Sequence, residues 1–259
     1  MSSKLLLSIK KIYHKYPNNE DFRLDMQEMF YTFDQSLGIY GLSGSGKSTF
    51  GKIIAGLLVP LIGEIELRCL EKENCEHKKT PDVMYSTQFP EKIFLGSKVK
   101  DTVELILSKN PNLKGMKLNL INFLSKFSVD YVNIEHKSGY ELSGGELRRF
   151  ALSLSMACSP DLLILDEPTI GFGGKGKQQL RNISKEFKKE HALIVVSHDF
   201  RLIENICDYL WVLDKGKIVF NGNFAELERD FYQKNSGYLS GDMMLEKEVV
   251  EKKSEIWEV

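Results

Sequence analysis

Gly41-Leu42-Ser43-Gly44-Ser45-Gly46-Lys47-Ser48 fits G-x-x-x-x-G-K-[ST] at every fixed position. A polyphosphate needs backbone N–H groups pointed inward. The glycines and serines of this octapeptide let the chain wrap closely before a helix begins at Lys47. The start of that helix favours an anion. In such a loop the lysine, Lys47, reaches the β- and γ-phosphates, and the Ser48 hydroxyl is a ligand for Mg2+. Gly41, Ser43, Gly44, Ser45, Gly46, Lys47, Ser48 and the adjoining Thr49 are therefore candidate nucleotide contacts. A Gly/Ser-rich turn can match the same pattern by accident, so the surrounding chain decides.

The flanks agree with the motif. Residues 35–40 form a short apolar run that reads as a strand feeding the loop, and 47–58 read as a helix stopped before Pro60. Upstream, 5–13 and 22–33 are apolar and aromatic without helical period and flank Pro17-Asn18-Asn19, which predicts a β-hairpin with Tyr13 and Tyr16 at its bend. Residues 64–70 alternate charged and apolar side chains as a half-wet strand does, and the charge-dense 71–79 reads as a solvated loop.

Farther on, 83–86 is a short strand ending at Thr87-Gln88-Phe89-Pro90-Glu91. Helical periodicity follows to Tyr140, clearest over 99–107 and 118–127, and predicts an inserted helical unit at about 98–160. A helix over 144–158 opens on Ser143-Gly144-Gly145. The apolar runs 162–165 and 192–196, ending in Asp166-Glu167-Pro168 and Ser197-His198-Asp199, have the pattern of central parallel strands with chemistry at their carboxyl ends. A helix over 175–189 joins them into a βαβ unit. Residues 209–213 and 217–220 frame a hairpin turn at Asp214-Lys215-Gly216. The remainder, 224–259, reads as charged helix, whose Val249, Val250, Ile256 and Trp257 could dock on a partner.

With 259 residues, 42% of them apolar, the chain can bury a sizeable core. Its 35 basic and 36 acidic residues nearly cancel, so the net charge carries no nucleic-acid footprint, and no nucleic-acid partner is expected. Cys69, Cys75, Cys158 and Cys207 form no C-x-x-C pair. Cys69, Cys75 and His77 lack the spacing of the common zinc motifs, which leaves free thiols in a reducing compartment. No secretory signal and no run of roughly 18 apolar residues is present, so work at a membrane would be done through a partner.

Taken together, these stretches resemble an ATP-binding cassette (ABC) ATPase from about residue 13 to 227. Leu142-Ser143-Gly144-Gly145-Glu146 is similar to the family's signature motif, and 162–167 followed by Pro168 resembles its Walker B strand with the catalytic glutamate. Gln88 resembles the Q-loop glutamine, His198 the switch histidine, and Tyr16 the aromatic that stacks on adenine, with Tyr13 as its competitor.

The resemblance implies an α/β fold: a P-loop NTPase (RecA-like) core with a mostly parallel sheet, an N-terminal antiparallel β subdomain and an inserted helical subdomain. The cassette would cover 1–227, with 228–259 as a helical tail. ATP and Mg2+ would be the cofactors. Ser48 and Asp166 would hold the metal, Gln88 would bridge the metal or the attacking water, Glu167 would polarise that water, and His198 would sense the γ-phosphate. In this family Ser143, Gly144 and Gly145 contact a nucleotide held by a second cassette, so a single-cassette chain implies a dimer.

After Asp166-Glu167-Pro168-Thr169 the family usually runs on to Gly-Leu-Asp, whereas this chain reads Gly171-Phe172-Gly173-Gly174. That departure points to two unequal composite sites and a heterodimer with a second ABC ATPase. Gln88-Phe89-Pro90-Glu91 resembles the corresponding segment of energy-coupling factor (ECF) ATPases, although Ile93 departs from it. This implies a peripheral subunit at the cytoplasmic face of the cell membrane, with Phe89, Ile93 and Phe94 lining a groove for an integral membrane partner. Two alternatives stay open: the motor of another ABC importer or exporter, and a soluble cassette that uses nucleotide as a switch.

Overall fold

The computed structural model describes residues 5–17, 22–70, 80–110, 112–113 and 115–227. The expected loop at 71–79, the tail from 228 onward, Cys75 and His77 lie outside these residues. In chain order the elements are β1 (Leu5–His14), β2 (Leu24–Met26), β3 (Met29–Thr32), β4 (Leu37–Tyr40), α1 (Lys47–Ile54), β5 (Ile62–Cys69) and β6 (Val83–Ser86). There follow α2 (Val99–Lys109), α3 (Met116–Lys126), α4 (Tyr131–Ile134), α5 (Gly144–Ala157), β7 (Leu162–Asp166) and α6 (Gly174–Phe187). The last are β8 (Ala192–Ser197), α7 (Phe200–Ile206), β9 (Tyr209–Asp214) and β10 (Lys217–Asn223).

Six strands form one sheet in the order β10-β9-β4-β8-β7-β6, parallel throughout except for the β9–β10 hairpin. Every residue of β7 is buried, because both faces of this sheet are covered. Leu162 and Ile164 enter one core with Phe50 and Ile53 of α1 and the antiparallel sheet, while Leu163 and Leu165 enter a second with α6 and α7. Helices α2 to α5 surround a third core containing Val99, Leu120, Phe150 and Leu154. Helix α5 belongs to two cores, since its Leu152 and Met156 pack on the sheet. A shift of α5 is therefore felt in both.

The second sheet is antiparallel, with β1 at its centre. The expected strand over 22–33 is divided into β2 and β3, which share one edge of β1. The division lies opposite a bulge in β1. The pairing of β1 with β5 shifts register between Lys10 and Tyr13, and Lys11 has φ 34°, while β2 and β3 keep one register along the other edge on either side of the break. Gly63 packs against this bulge, where a Cβ would fall 1.6 Å from the Lys11 carbonyl oxygen.

Two further differences from the sequence reading are local. Helix α1 ends at Ile54 rather than at residue 58, where Gly56 takes φ 70° and turns the chain. Helix α7 carries its own start signal, because the Asp199 carboxylate accepts from the Leu202 N–H at 3.0 Å.

Candidate nucleotide site

Strands β4, β6, β7 and β8 all point their carboxyl ends to the same side, and a cavity of about 790 Å3 opens there. Parallel α/β sheets place ligands at this end. Of the residues singled out from sequence, Tyr16, Ser43, Gly44, Gly46, Lys47, Ser48, Thr49, Gln88, Glu167 and His198 line the cavity. Asp166 stands directly behind Ser48, whose hydroxyl donates to its Oδ1 at 2.9 Å. Gly41 and Ser45 form the rear of the loop: a Cβ on Gly41 would meet the Leu213 carbonyl oxygen at 2.3 Å, and the Ser45 carbonyl accepts from the Gly216 N–H at 3.0 Å.

The loop is shaped so that the start of α1 opens onto the cavity. Gly44 and Gly46 have φ 82° and 104°, and Gly46 precedes α1 with no side chain capping the helix. No acidic residue of α1 itself occupies its first turn, so its uncapped N–H groups and dipole face the cavity, with the carboxylates of Asp166 and Glu167 supplied from β7 and the turn after it. Lys47 is buried and donates to the Leu42 carbonyl at 3.0 Å. Burial pulls its pKa down, while Glu167 and Asp166 act against that shift. The buried Ser45 hydroxyl has no hydrogen-bond partner among the described residues. An ammonium in a desolvated pocket and the uncapped N–H groups at the start of α1 together fit a polyphosphate.

The donor set beside them fits a hard divalent cation that keeps much of its water. It consists of a hydroxyl and a carboxylate, and the described residues contain no cluster of three His, Cys, Asp or Glu that could cage a metal. Asp166 is only 3% exposed. Burial raises its pKa, and hydrogen bonds from Tyr85 and Ser48 act in the opposite direction.

Glu167 is held by β8. Its Oε1 accepts from the His198 N–H at 3.0 Å and lies 2.8 Å from His198 Nδ1, and its Oε2 accepts from the Ser197 hydroxyl at 2.9 Å. Its backbone N–H donates to the Val196 carbonyl at 2.8 Å. These bonds fix a residue with φ 47° that precedes Pro168, a conformation costing roughly 1–3 kcal/mol in a non-glycine residue. A carboxylate fixed in this way, facing a phosphate loop, can orient a water for attack.

Tyr16 is tied to α1 through its hydroxyl, 3.2 Å from Thr49 Oγ1, and its ring packs on His14 and Phe22. Tyr13 pairs within the sheet opposite Asp25 and Ile62 and is not among the lining residues. Ser143, Gly144 and Gly145 are outside the cavity at the start of α5. There Ser143 and Glu146 form a capping box: the Ser143 hydroxyl accepts from the Glu146 N–H at 3.2 Å and the Glu146 carboxylate from the Ser143 N–H at 2.8 Å.

Other residues, not singled out for the site from sequence, belong to it. Phe22, Tyr40, Leu42 and Ile170 line the cavity. Ser197 secures Glu167, and Arg148 donates to the Gln88 carbonyl at 2.9 Å, joining α5 to the loop after β6. Ser197 carried a signal, being the last residue of a buried strand beside the expected chemistry.

Residues 29–170 match the family described as ABC transporter. The chain belongs to that family and is an ATP-binding, ATP-hydrolysing subunit. Among its relatives is the energy-coupling factor transporter ATP-binding protein EcfA2 of Thermotoga maritima, 31% identical over 223 residues, or 85% of this chain and 83% of that protein. EcfA2 of Streptococcus sanguinis is 32% identical over 205 residues, 74% of this chain and 71% of that one. The fold is shared with a solved ATP-binding cassette described as a dimeric post-hydrolysis state bound to ADP and Pi, at TM-score 0.66 and 19% identity, covering 84% of this chain and 98% of that one.

Proposed function

We propose that this chain is one of two unequal ATPase subunits of an ECF-type importer of vitamins or metal ions, turning ATP-driven closure of a cassette dimer into motion of an integral membrane partner. The observation that carries this reading is the separation of the signature residues from the chain's own cavity. Ser143, Gly144 and Gly145 begin α5 away from the residues that line it, so they are free to serve a nucleotide held by another cassette. The relation to EcfA2 proteins supports the ECF assignment. The cassette covers 1–227, with a helical insertion at about 98–160 and a tail from 228.

In this reading Gly41 to Thr49 and Tyr16 hold ATP. Ser48 and Asp166, with Gln88 nearby, hold Mg2+, which when bound neutralises charge on the phosphates. Glu167 takes the proton of the attacking water, and His198 holds Glu167 in place and reports the γ-phosphate. Gly173 stands where the family's D-loop aspartate crosses the dimer interface, so the composite site that it borders lacks that carboxylate. A heterodimer accommodates such an inequality.

No helix among the described residues is long and apolar enough to cross a membrane. In this proposal the chain sits peripherally at the cytoplasmic face of the cell membrane, bound through the surface around Phe89, Ile93 and Phe94. Affinity purification from detergent-solubilised membranes tests the assignment. A second cassette ATPase and an integral membrane protein should co-purify, and recovery of a homodimer with no membrane protein would overturn it.

A further inference from the structure

Asp166 receives two donors, one on each carboxylate oxygen: the Ser48 hydroxyl on Oδ1 at 2.9 Å and the Tyr85 hydroxyl on Oδ2 at 2.7 Å. The two differ in what becomes of them when a cation is present. Ser48 is itself a candidate ligand, so its hydrogen bond to Oδ1 is exchanged or rearranged on binding. Tyr85 is on β6, outside the donor set, and its bond can persist. The terminal torsion of an aspartate is broad and roughly two-fold. A carboxylate secured by Ser48 alone would be free to rotate at the moment the cation needs it fixed.

Tyr85 is built in rather than resting there by chance. Its ring lies against Gly51 in α1, where a Cβ would meet the ring at 3.3 Å and the hydroxyl oxygen at 3.7 Å, so a helix-interior glycine makes the space for it. Its hydroxyl is also 3.3 Å from the Ser48 carbonyl, and its backbone pairs with Ile164 in β7. A carboxylate can only accept, so the phenol hydroxyl is the donor of its bond to Asp166.

We propose that Tyr85 is a positioning residue for the divalent cation, holding the Asp166 carboxylate through Oδ2 in the orientation that the metal requires. This rests on the reading of Ser48 and Asp166 as the Mg2+ site. Hydrogen-bonded support of this kind is typically worth 10- to 100-fold in metal affinity. Because Tyr85 lies three residues before Gln88, the strand that leads to the Q-loop is fastened directly to the metal carboxylate.

The test uses the full-length protein and a fluorescent ATP analogue, with binding measured in EDTA and across a Mg2+ titration. Tyr85→Phe should leave metal-free affinity within about twofold of the parent and raise the Mg2+ concentration for half-maximal enhancement about tenfold or more. Gly51→Ala, which displaces the ring by a few tenths of an ångström, should raise it by less. Asp166→Asn should remove the enhancement. If Asp166→Asn removes it while Tyr85→Phe leaves the midpoint unchanged, or if Tyr85→Phe weakens metal-free and metal-bound affinity equally, the positioning role is wrong. Enhancement that survives in Asp166→Asn overturns the assignment of the metal site, and the role of Tyr85 with it.

Discussion

Replacing Glu167 with glutamine separates the anchoring of this side chain in the fold from the action on water proposed for it. The carboxylate accepts from Ser197 and from the His198 N–H, and it lies 2.8 Å from His198 Nδ1. Glutamine keeps one oxygen, which can face His198, and presents an NH2 group to the Ser197 oxygen. The folded state thus exchanges charge-assisted hydrogen bonds for neutral ones, a loss of about 1 kcal/mol. For a chain of this size that corresponds to a fall in Tm of roughly 2–4 °C. The catalytic effect is larger. Loss of a positioned general base lowers turnover by about 10^2- to 10^4-fold, or about 3–5 kcal/mol in the barrier. Nucleotide affinity moves the other way or stays level, because a negative charge near Lys47 is removed. Phosphate release, equilibrium binding of a fluorescent nucleotide and thermal melting, with the proposed partners present, read the three quantities. Turnover within a few-fold of the parent, in a variant that binds and melts as described, would refute the reasoning.

Other expectations are more local. Lys47→Ala should weaken nucleotide binding at least tenfold, since the desolvated ammonium is the side-chain cation lining the phosphate end of the cavity; equilibrium binding measures this. Gly173→Asp should stabilise the fold by a few tenths of a kcal/mol and so raise Tm slightly, because Gly173 caps α6 with no side chain and a Cβ there meets nothing within 4 Å; melting curves decide it. Burial raises the Asp208 carboxyl, but bonds from Lys188 and Ser36 outweigh it and hold the pKa below its ordinary 3.8. Its stabilisation is therefore complete above pH 3.8 and is lost as pH falls through the lower folded value. Asp208→Asn should destabilise by roughly 0.5–1 kcal/mol at neutral pH, discounted for partial exposure, and the melting curves of variant and parent should converge in acid.

Much of the parallel sheet was legible because its strands are short apolar runs that end in polar residues. β6 falls on 83–86 as expected, and β7 and β8 each extend one residue past the expected run, to Asp166 and Ser197. Their cores demand apolar side chains on both faces, and a linear pattern records that directly. The bulge in β1 was not legible, since Lys11 gives no local sign of its positive φ or of the register shift against β5. Contacts between distant elements were equally hidden. Tyr85 reads as an ordinary strand aromatic and Arg148 as a helix charge until the fold brings one to Asp166 and the other to Gln88. Helix α7 was a missed opportunity, because Asp199 stands three residues before Leu202, whose N–H it caps.

The hairpin between β9 and β10 has a two-residue turn, Lys215 and Gly216, both at positive φ. Such a turn at the rim of a sheet resembles a permissive place to insert a tag or a fluorophore. Here it is the reverse. Gly216 donates to the Ser45 carbonyl of the phosphate loop and accepts from the Asp25 N–H of the antiparallel sheet, and a Cβ on it would fall 1.7 Å from the Arg23 carbonyl oxygen. One residue thus fastens three parts of the molecule, so a lengthened turn would loosen the phosphate loop from behind.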